Sequence, residues 1–331
     1  MNMSNMPVLV TGACGFIGSH LTEALVKQGA KTRALTFYDA RGASGWLSDL
    51  PPDIRKSIEL ISGDVRDTEQ MSRIVQEGDT VFHLAALIGI PYSYMAPRSY
   101  VETNITGTLN ILEACRQKHA SRLLVTSTSE VYGSALSVPI SESHPLQAQS
   151  PYSATKIAAE KLAESYIRSF NLPATIVRPF NTFGPRQSAR AVIPTLLMQL
   201  TAASGEVCLG DISTTRDFNY VADTVDAFLQ IAACDRAVGQ TVNIGTGLEI
   251  SIAQLVETAR RISGRQVRIK FDEQRVRPST SEVKRLCADA TLLKALTGWT
   301  PSFGLEKGLR LTWDWLMTKG GASYDPQRYY F

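Results

Sequence analysis

Four side chains, Thr128, Glu130, Tyr152 and Lys156, have the types and spacing for proton and hydride chemistry. Tyr152 and Lys156 stand four apart in Tyr152-Ser153-Ala154-Thr155-Lys156, the spacing that puts two side chains on one face of a helix. There the Lys156 ammonium would lie near the Tyr152 phenol and lower its pKa from about 10 toward neutrality, making a base for a sugar hydroxyl. That is the geometry of a hydride transfer. Thr128, Ser129 and Glu130 belong to Thr126-Ser127-Thr128-Ser129-Glu130-Val131-Tyr132-Gly133, a small polar cluster fed by the apolar run Leu123-Leu124-Val125. Such a run reads as a buried parallel strand ending in a loop, where open α/β sheets place their chemistry. By itself, Tyr-x-x-x-Lys reads as a surface pair on an amphipathic helix; its companions along the chain change that reading.

Pro7-Val8-Leu9-Val10-Thr11 is a short apolar strand, followed by Gly12-Ala13-Cys14-Gly15-Phe16-Ile17-Gly18 and a helix carrying Ser19, Leu21, Leu25 and Val26. Glycines at this spacing permit a tight turn, close approach to a pyrophosphate and tight helix packing, with the helix N-terminus facing the phosphates. A bound dinucleotide is expected along Gly12, Gly15, Phe16, Ile17 and Gly18. The next strand, 31–37, should end in an acid for the adenosine ribose, yet carries Thr36, with Asp39 and Arg41 beyond. Asp39 would hold a free ribose hydroxyl, whereas Thr36 with Arg41 would hold a 2′-phosphate. NAD and NADP therefore both stay open, with NAD favoured, tightly bound in either case. A third strand over 58–65 ends in Asp64 and Val65, the acid suited to an adenine amino group. A fourth over 80–86 ends in Leu84, Ala85 and Ala86, small enough to let the backbone approach the cofactor. Asn104, on the helix that follows, is placed to brace the active-site backbone. His83 lies in an apolar strand as a core residue, and His20, His119 and His144 have no ligand spacing, so no metal is expected.

Strands alternate with helical segments at 71–76, 100–118 and 152–170, which gives an α/β fold built on a doubly wound parallel sheet. Residues 6–178 form its dinucleotide-binding Rossmann domain, to which 213–246 return. Residues 179–212 and 247–320 form a smaller C-terminal α/β substrate-binding domain, and 321–331 a tail. Helices are expected over 192–202, 223–233, 251–263 and 305–316, strands over 174–178, 216–221 and 242–245. A chain of 331 residues with 44% hydrophobic and 20% charged residues is ordinary for a globular enzyme. Its net charge of +3 and scattered basic residues argue against a nucleic-acid surface. Five cysteines without a Cys-x-x-Cys indicate neither a disulfide framework nor zinc, and point to a reducing compartment. With no signal peptide or membrane-length apolar run, a cytoplasmic protein is expected.

These residues together resemble the extended short-chain dehydrogenase/reductases that act on nucleotide sugars. The resemblance runs over nearly the whole chain, through Thr11-Gly12, Gly15, Gly18, Asp64, Asn104, the stretch from Ser127 to Gly133, Tyr152 with Lys156, Arg178-Pro179-Phe180-Asn181, Arg216-Asp217-Phe218 and Asn243-Ile244-Gly245. Gly45-Trp46-Leu47, Ile90-Pro91-Tyr92-Ser93-Tyr94, Ser150-Pro151-Tyr152, the stretch from Pro185 to Pro194 and that from Arg277 to Val283 are similar to a narrower group, the 4,6-dehydratases of legionaminic acid pathways. The resemblance implies that Thr128 and Tyr152 hold the sugar O4 and that Lys156 binds the nicotinamide ribose. It further implies that Arg216, Arg277 and Asn181 serve the diphosphate, that Val192 lies against the base, and that Asn243 belongs to the substrate set. Forked, permanently charged arginines suit a diphosphate on their own chemistry. A homodimer is expected as well, because the helical segments 100–118 and 152–170 carry apolar or small residues on more than one face.

One departure bears on mechanism. Dehydratases of the dTDP-glucose type carry Thr-Asp-Glu where this chain has Thr128-Ser129-Glu130, so the acid that protonates the leaving C6 hydroxyl is missing. Glu130 would then take the C5 proton and return it to that hydroxyl, with Ser129 orienting the hydroxyl or a water. The implied activity is a nucleotide-sugar 4,6-dehydratase acting on UDP- or GDP-N-acetylglucosamine or a related hexose. The rivals are a UDP-glucuronate decarboxylase, which shares Thr-Ser-Glu, a 4-epimerase, and a non-catalytic dinucleotide-sensing scaffold.

Overall fold

A computed structural model describes residues 3–202 and 205–320; the expected tail, 321–331, lies outside them. Seven strands form one parallel sheet: β1 Pro7–Thr11, β2 Lys31–Thr36, β3 Ile58–Ser62, β4 Thr80–His83, β5 Arg122–Thr126, β6 Ala174–Pro179 and, after three strands belonging elsewhere, β10 Thr241–Ile244. Their order across the sheet is β10-β6-β5-β4-β1-β2-β3, and every pairing is parallel. The expected doubly wound sheet is therefore present.

Strand side chains alternate between two cores, as the pleat requires. Val8, Val10, Phe82, Leu124 and Val177 face one core, with Leu21 and Leu25 of the helix Phe16–Lys27 and Phe228 and Ile231 of the helix Val221–Ala232. Leu9, Val81, Leu123, Val125 and Ile176 face the other, with Ile111 and Leu112 of the helix Gly107–Gln117 and Ala163 of the helix Pro151–Phe170. Burial on both faces explains why the central strands are almost continuously apolar.

From β1 the chain winds through β2 and β3 toward one edge, and from β4 through β5 and β6 toward the other. The reversal between β1 and β4 is a topological switch point, and ligands of open α/β sheets bind outside the carboxyl ends of strands at such a point. The segment expected as one helix over 100–118 is divided: a helical turn at Pro97–Tyr100, a π-helical turn at Val101–Thr106, then Gly107–Gln117. The widened turn brings Gly107 against β3's exit, where an added Cβ would lie 2.7 Å from Val65 Cγ2.

The remaining strands form smaller sheets. β9 Thr215–Tyr220 pairs with β7 Asn181–Phe183, β11 Glu249–Ser251 and β13 Arg285–Leu286, and β8 Glu206–Leu209 pairs with β12 Arg268–Phe271. Within 213–246, β10 completes the large sheet and β9 lies in the second one. No helix of the described residues is long and apolar enough to cross a membrane.

Candidate active site

The glycine turn after β1 is shaped by contacts no other residue could make. Gly12 has φ +68°, and a Cβ there would lie 2.7 Å from the Ala85 amide nitrogen; at Gly18 it would lie 2.2 Å from the Gly12 carbonyl oxygen. The helix Phe16–Lys27 starts behind Gly15 with no side-chain cap and no acid in its first turn, so its end presents free N–H groups and a positive dipole. That open cradle fits a dinucleotide pyrophosphate. Thr11 fastens the crossing: its Oγ1 lies 2.8 Å from His83 Nδ1 and accepts from the Ala85 amide at 3.2 Å. His83 also meets Thr108 Oγ1 at 3.1 Å, and burial, with the neighbouring Lys156 charge, lowers its pKa to about 3. It is a neutral core histidine.

At the adenosine end, the Thr36 hydroxyl points to the Ile61 carbonyl, 3.4 Å away. Asp39 and Arg41, the rival partners for the ribose 2′ position, are bonded to each other, with the Arg41 amide donating to Asp39 Oδ1 at 2.8 Å. Asp64 holds Arg66 through both carboxylate oxygens, at 2.6 to 3.0 Å, and this hydrogen bonding lowers its pKa. Asn104 is wholly buried: Nδ2 donates to Leu87 O at 2.9 Å and to Thr155 Oγ1 at 3.0 Å, while Oδ1 accepts from the Leu87 amide at 2.8 Å. It ties the loop after Leu84-Ala85-Ala86 to the helix that carries Tyr152.

β5 ends at Thr126, and Thr128 caps a 3₁₀ turn, Ser129–Tyr132, by accepting the Glu130 amide at 3.2 Å. Ser150 caps the helix Pro151–Phe170 with Pro151 at its first position, a start that sequence alone specifies well. These two elements bring Thr128, Ser129, Glu130, Tyr152 and Lys156 together. The Thr128 hydroxyl and the Glu130 carboxylate both stand near enough to the Tyr152 phenol to act on it, the first favouring its charged form and the second opposing it.

The expected effect of Lys156 on Tyr152 is corrected. Tyr152 has its pKa raised, first by burial and further by the Glu130 charge, with the Thr128 hydroxyl opposing. Lys156 Nζ instead donates to the Thr126 carbonyl at 2.6 Å, and burial lowers its pKa to about 8. Sharing a helix face does not fix where two long side chains end. Asn243, expected in the substrate set, is fully buried, accepts from Tyr132 OH at 2.7 Å and donates to Ile140 O at 3.0 Å, so its side-chain amide is engaged by the scaffold.

The arginines converge on acids. Arg277 Nη1 lies 4.0 Å from Glu130 Oε2, and its Nε 3.9 Å from Glu282, which also takes Arg216 Nη2 at 3.0 Å. Arg277 Nη1 and Asn181 Oδ1 are buried without hydrogen-bond partners, as groups meant for a ligand would be. Val192 starts the helix Val192–Thr201, half-buried. Sequence reasoning missed Glu282, which balances both arginines, and Tyr100, whose ring stands edge-on to Tyr152 at 6.3 Å. It also missed a latch: Ser281 Oγ donates to Gln149 O at 2.5 Å and meets Tyr94 OH at 2.5 Å, tying the Arg277 loop to the start of the catalytic helix. Most of these roles show only in partners 52 to 187 positions apart.

A cradle for a dinucleotide beside a Thr-Tyr-Lys set, with a carboxylate and arginines across from it, defines a nucleotide-sugar short-chain dehydrogenase/reductase. The sequence model of the family described as GDP-mannose 4,6 dehydratase matches residues 9–312, and the chain belongs to that family of extended NAD-dependent epimerases and dehydratases. It is 34% identical to a UDP-N-acetyl-alpha-D-glucosaminuronate decarboxylase of Bacillus cytotoxicus, over 93% of this chain and 96% of the relative. It is 32% identical to a dTDP-glucose 4,6-dehydratase of Mycolicibacterium smegmatis, over 94% and 93%. A UDP-glucuronic acid 4-epimerase of Bacillus cereus, solved with NAD and a fluorinated sugar nucleotide, superposes with TM-score 0.86 at 30% identity, over 94% of this chain and 99% of that one.

Proposed function

We propose that the protein is a nucleotide-sugar 4,6-dehydratase, converting UDP- or GDP-linked N-acetylglucosamine, or a related hexose, to its 4-keto-6-deoxy form. A place in legionaminic acid synthesis follows from the narrower resemblance. The observation that carries the reading is the Glu130 carboxylate beside the Tyr152 phenol and the Thr128 hydroxyl, a second proton-transfer group in a site that needs only one to oxidise C4. NAD, held along Gly12, Gly15 and Gly18, or NADP, whose 2′-phosphate Thr36 and Arg41 would serve, would supply the hydride acceptor and donor that oxidation at C4 and reduction at C6 require.

The chain's own residues do the rest. Tyr152, beside Thr128, takes the O4 proton as its phenolate, the form that burial and the Glu130 charge disfavour in the structure as it stands. Lys156, whose Nζ now donates to the Thr126 carbonyl, would hold the ribose of the cofactor. The C4 ketone acidifies C5, and Glu130 removes that proton and passes it to the C6 hydroxyl, which leaves as water with Ser129 orienting it. Arg216, Arg277 and Asn181 bind the diphosphate.

A second reading, a glycuronate decarboxylase, is favoured by one contact: Arg277, 4.0 Å from Glu130, puts a cation where a C6 carboxylate would need one. Substrate deuterated at C4 separates the readings. A dehydratase delivers the label to C6 while C5 gains a solvent hydrogen, with no net consumption of cofactor. Label returning to C4 would sink the dehydratase reading, in favour of decarboxylation if carbon dioxide is released and of epimerisation if C4 is inverted.

A further inference from the structure

Among the described residues, the Glu130 carboxylate makes no hydrogen bond to the protein; its nearest cation, Arg277, is 4.0 Å away. A side chain held this loosely takes its position from its backbone, and that backbone is a turn of only four residues, Ser129–Tyr132. Thr128 holds one end of the turn through the Glu130 amide. The other end is held by Tyr132, which is wholly buried and points away into the scaffold.

Tyr132 is clamped there from several elements. Its hydroxyl donates to Asn243 Oδ1 on β10 at 2.7 Å and accepts from Arg178 Nη1 on β6 at 2.8 Å. The Arg178 guanidinium also lies 4.8 Å from the Tyr132 ring centre. Its other nitrogens form a fork onto Glu160, at 2.9 and 2.6 Å, and Glu160 sits one helical turn beyond Lys156 on the catalytic helix. Arg178 and Glu160 are buried, at 3% and 0% side-chain exposure. Such a pair is weak support for stability but strict in geometry, because a bidentate fork fixes both distance and plane.

We propose that Tyr132, gripped by Arg178 against Glu160, is a positioning residue that sets the gap between Glu130 and the Tyr152–Lys156 helix. The inference rests on the dehydratase reading of Glu130. Proton transfer from C5 is the step most sensitive to that gap, whereas C4 oxidation depends on Thr128, at the end of the turn away from Tyr132, and on Tyr152 and Lys156, which the helix places directly.

The test is Tyr132→Phe, which keeps the ring and removes both hydroxyl bonds. The holoenzyme is mixed in single turnover with the UDP- or GDP-sugar that the parent converts, deuterated at C4. Reduced cofactor should form at close to the parent rate, which also shows that the variant is folded, and should then disappear about tenfold or more slowly, with solvent hydrogen entering C5 in step. KM should stay near the parent value. Slowing of both phases by the same factor, loss of both, or slowing of neither would overturn the positioning role. Label at C4 of the parent's product would instead overturn the dehydratase reading and this inference with it; label at C6 with an unaltered variant removes the inference alone.

Discussion

In the proposed dehydratase mechanism Glu130 would take a proton from C5 and hand it to the C6 hydroxyl, which an amide cannot do. Glu130→Gln should therefore bind cofactor and substrate, oxidise C4 and stop, so that reduced cofactor accumulates and absorbs in the near-ultraviolet. Turnover should fall by about 10² to 10⁴, the usual worth of a positioned acid or base; turnover near the parent rate would remove Glu130 from the mechanism. Lys156 makes a prediction about stability. Burial lowers its pKa from 10.5 to about 8, so between those values the unfolded chain binds more protons and stability rises with pH; below about pH 8 the penalty is at its full size. Lys156→Met should thus melt higher than the parent at pH 7 while losing activity, and its advantage should shrink as the pH climbs from 8 toward 10.5. Thermal melts across that range check it, and an advantage that stays constant with pH would show that the buried charge is not its cause. The elements that carry these residues were legible in sequence because spacing on a helix and position after a strand are local facts. The residues' protonation was not, because it depends on where Nζ ends, at Thr126 O.

At the scale of elements, the glycine turn makes the sharpest claim. Gly12 and Gly78 both have positive φ, +68° and +76°, but only Gly12 meets backbone within 3 Å. Gly78→Ala should cost about 1–2 kcal/mol, the penalty of a left-handed residue alone. Gly12→Ala adds a collision with Ala85 at the β1–β4 crossing, so it should destabilise by more and lose bound dinucleotide; urea titration and the nucleotide released on denaturation measure both. Equal costs at the two sites would mean that the crossing yields, and that it is no rigid cradle. The turn was readable because glycine records backbone demand directly. The π-helical turn at Val101–Thr106 was not: its apolar pattern suits a regular helix, and the reason for the widening, Gly107 against Val65, lies on another element. For the same reason the scaffold contacts of Asn243 were not legible. Its neighbours in sequence carry the family pattern, but its partners, Tyr132 and Ile140, are about a hundred positions away.

For the molecule as a whole, two helices that cover one face of the sheet also present a second apolar side. Ile111, Leu112, Ala159 and Ala163 are buried under the sheet's neighbours, as expected of an inner face. On the outer side Leu109 is 36% exposed, Val101 45% and Phe170 51%, with Ile105 and Ala158 half-buried beside them in sequence, whereas Leu162 and Ile167 pack against the inner core. Apolar side chains spread along two adjacent helices make a patch that a monomer would leave in water, and a two-fold axis would cover it with its own copy in a four-helix arrangement. We therefore expect a homodimer by light scattering at micromolar concentration. Leu109→Glu should split it, because a carboxylate facing its symmetry mate across a dry interface is repelled and desolvated at once. The proposed catalytic residues, Thr128, Glu130, Tyr152 and Lys156, all come from one chain, so the split variant should keep single-turnover C4 oxidation while melting lower. A parent that is monomeric at that concentration would show that the patch is tolerated in water, and a Leu109→Glu protein that remains dimeric would place the two-fold contact elsewhere on the surface.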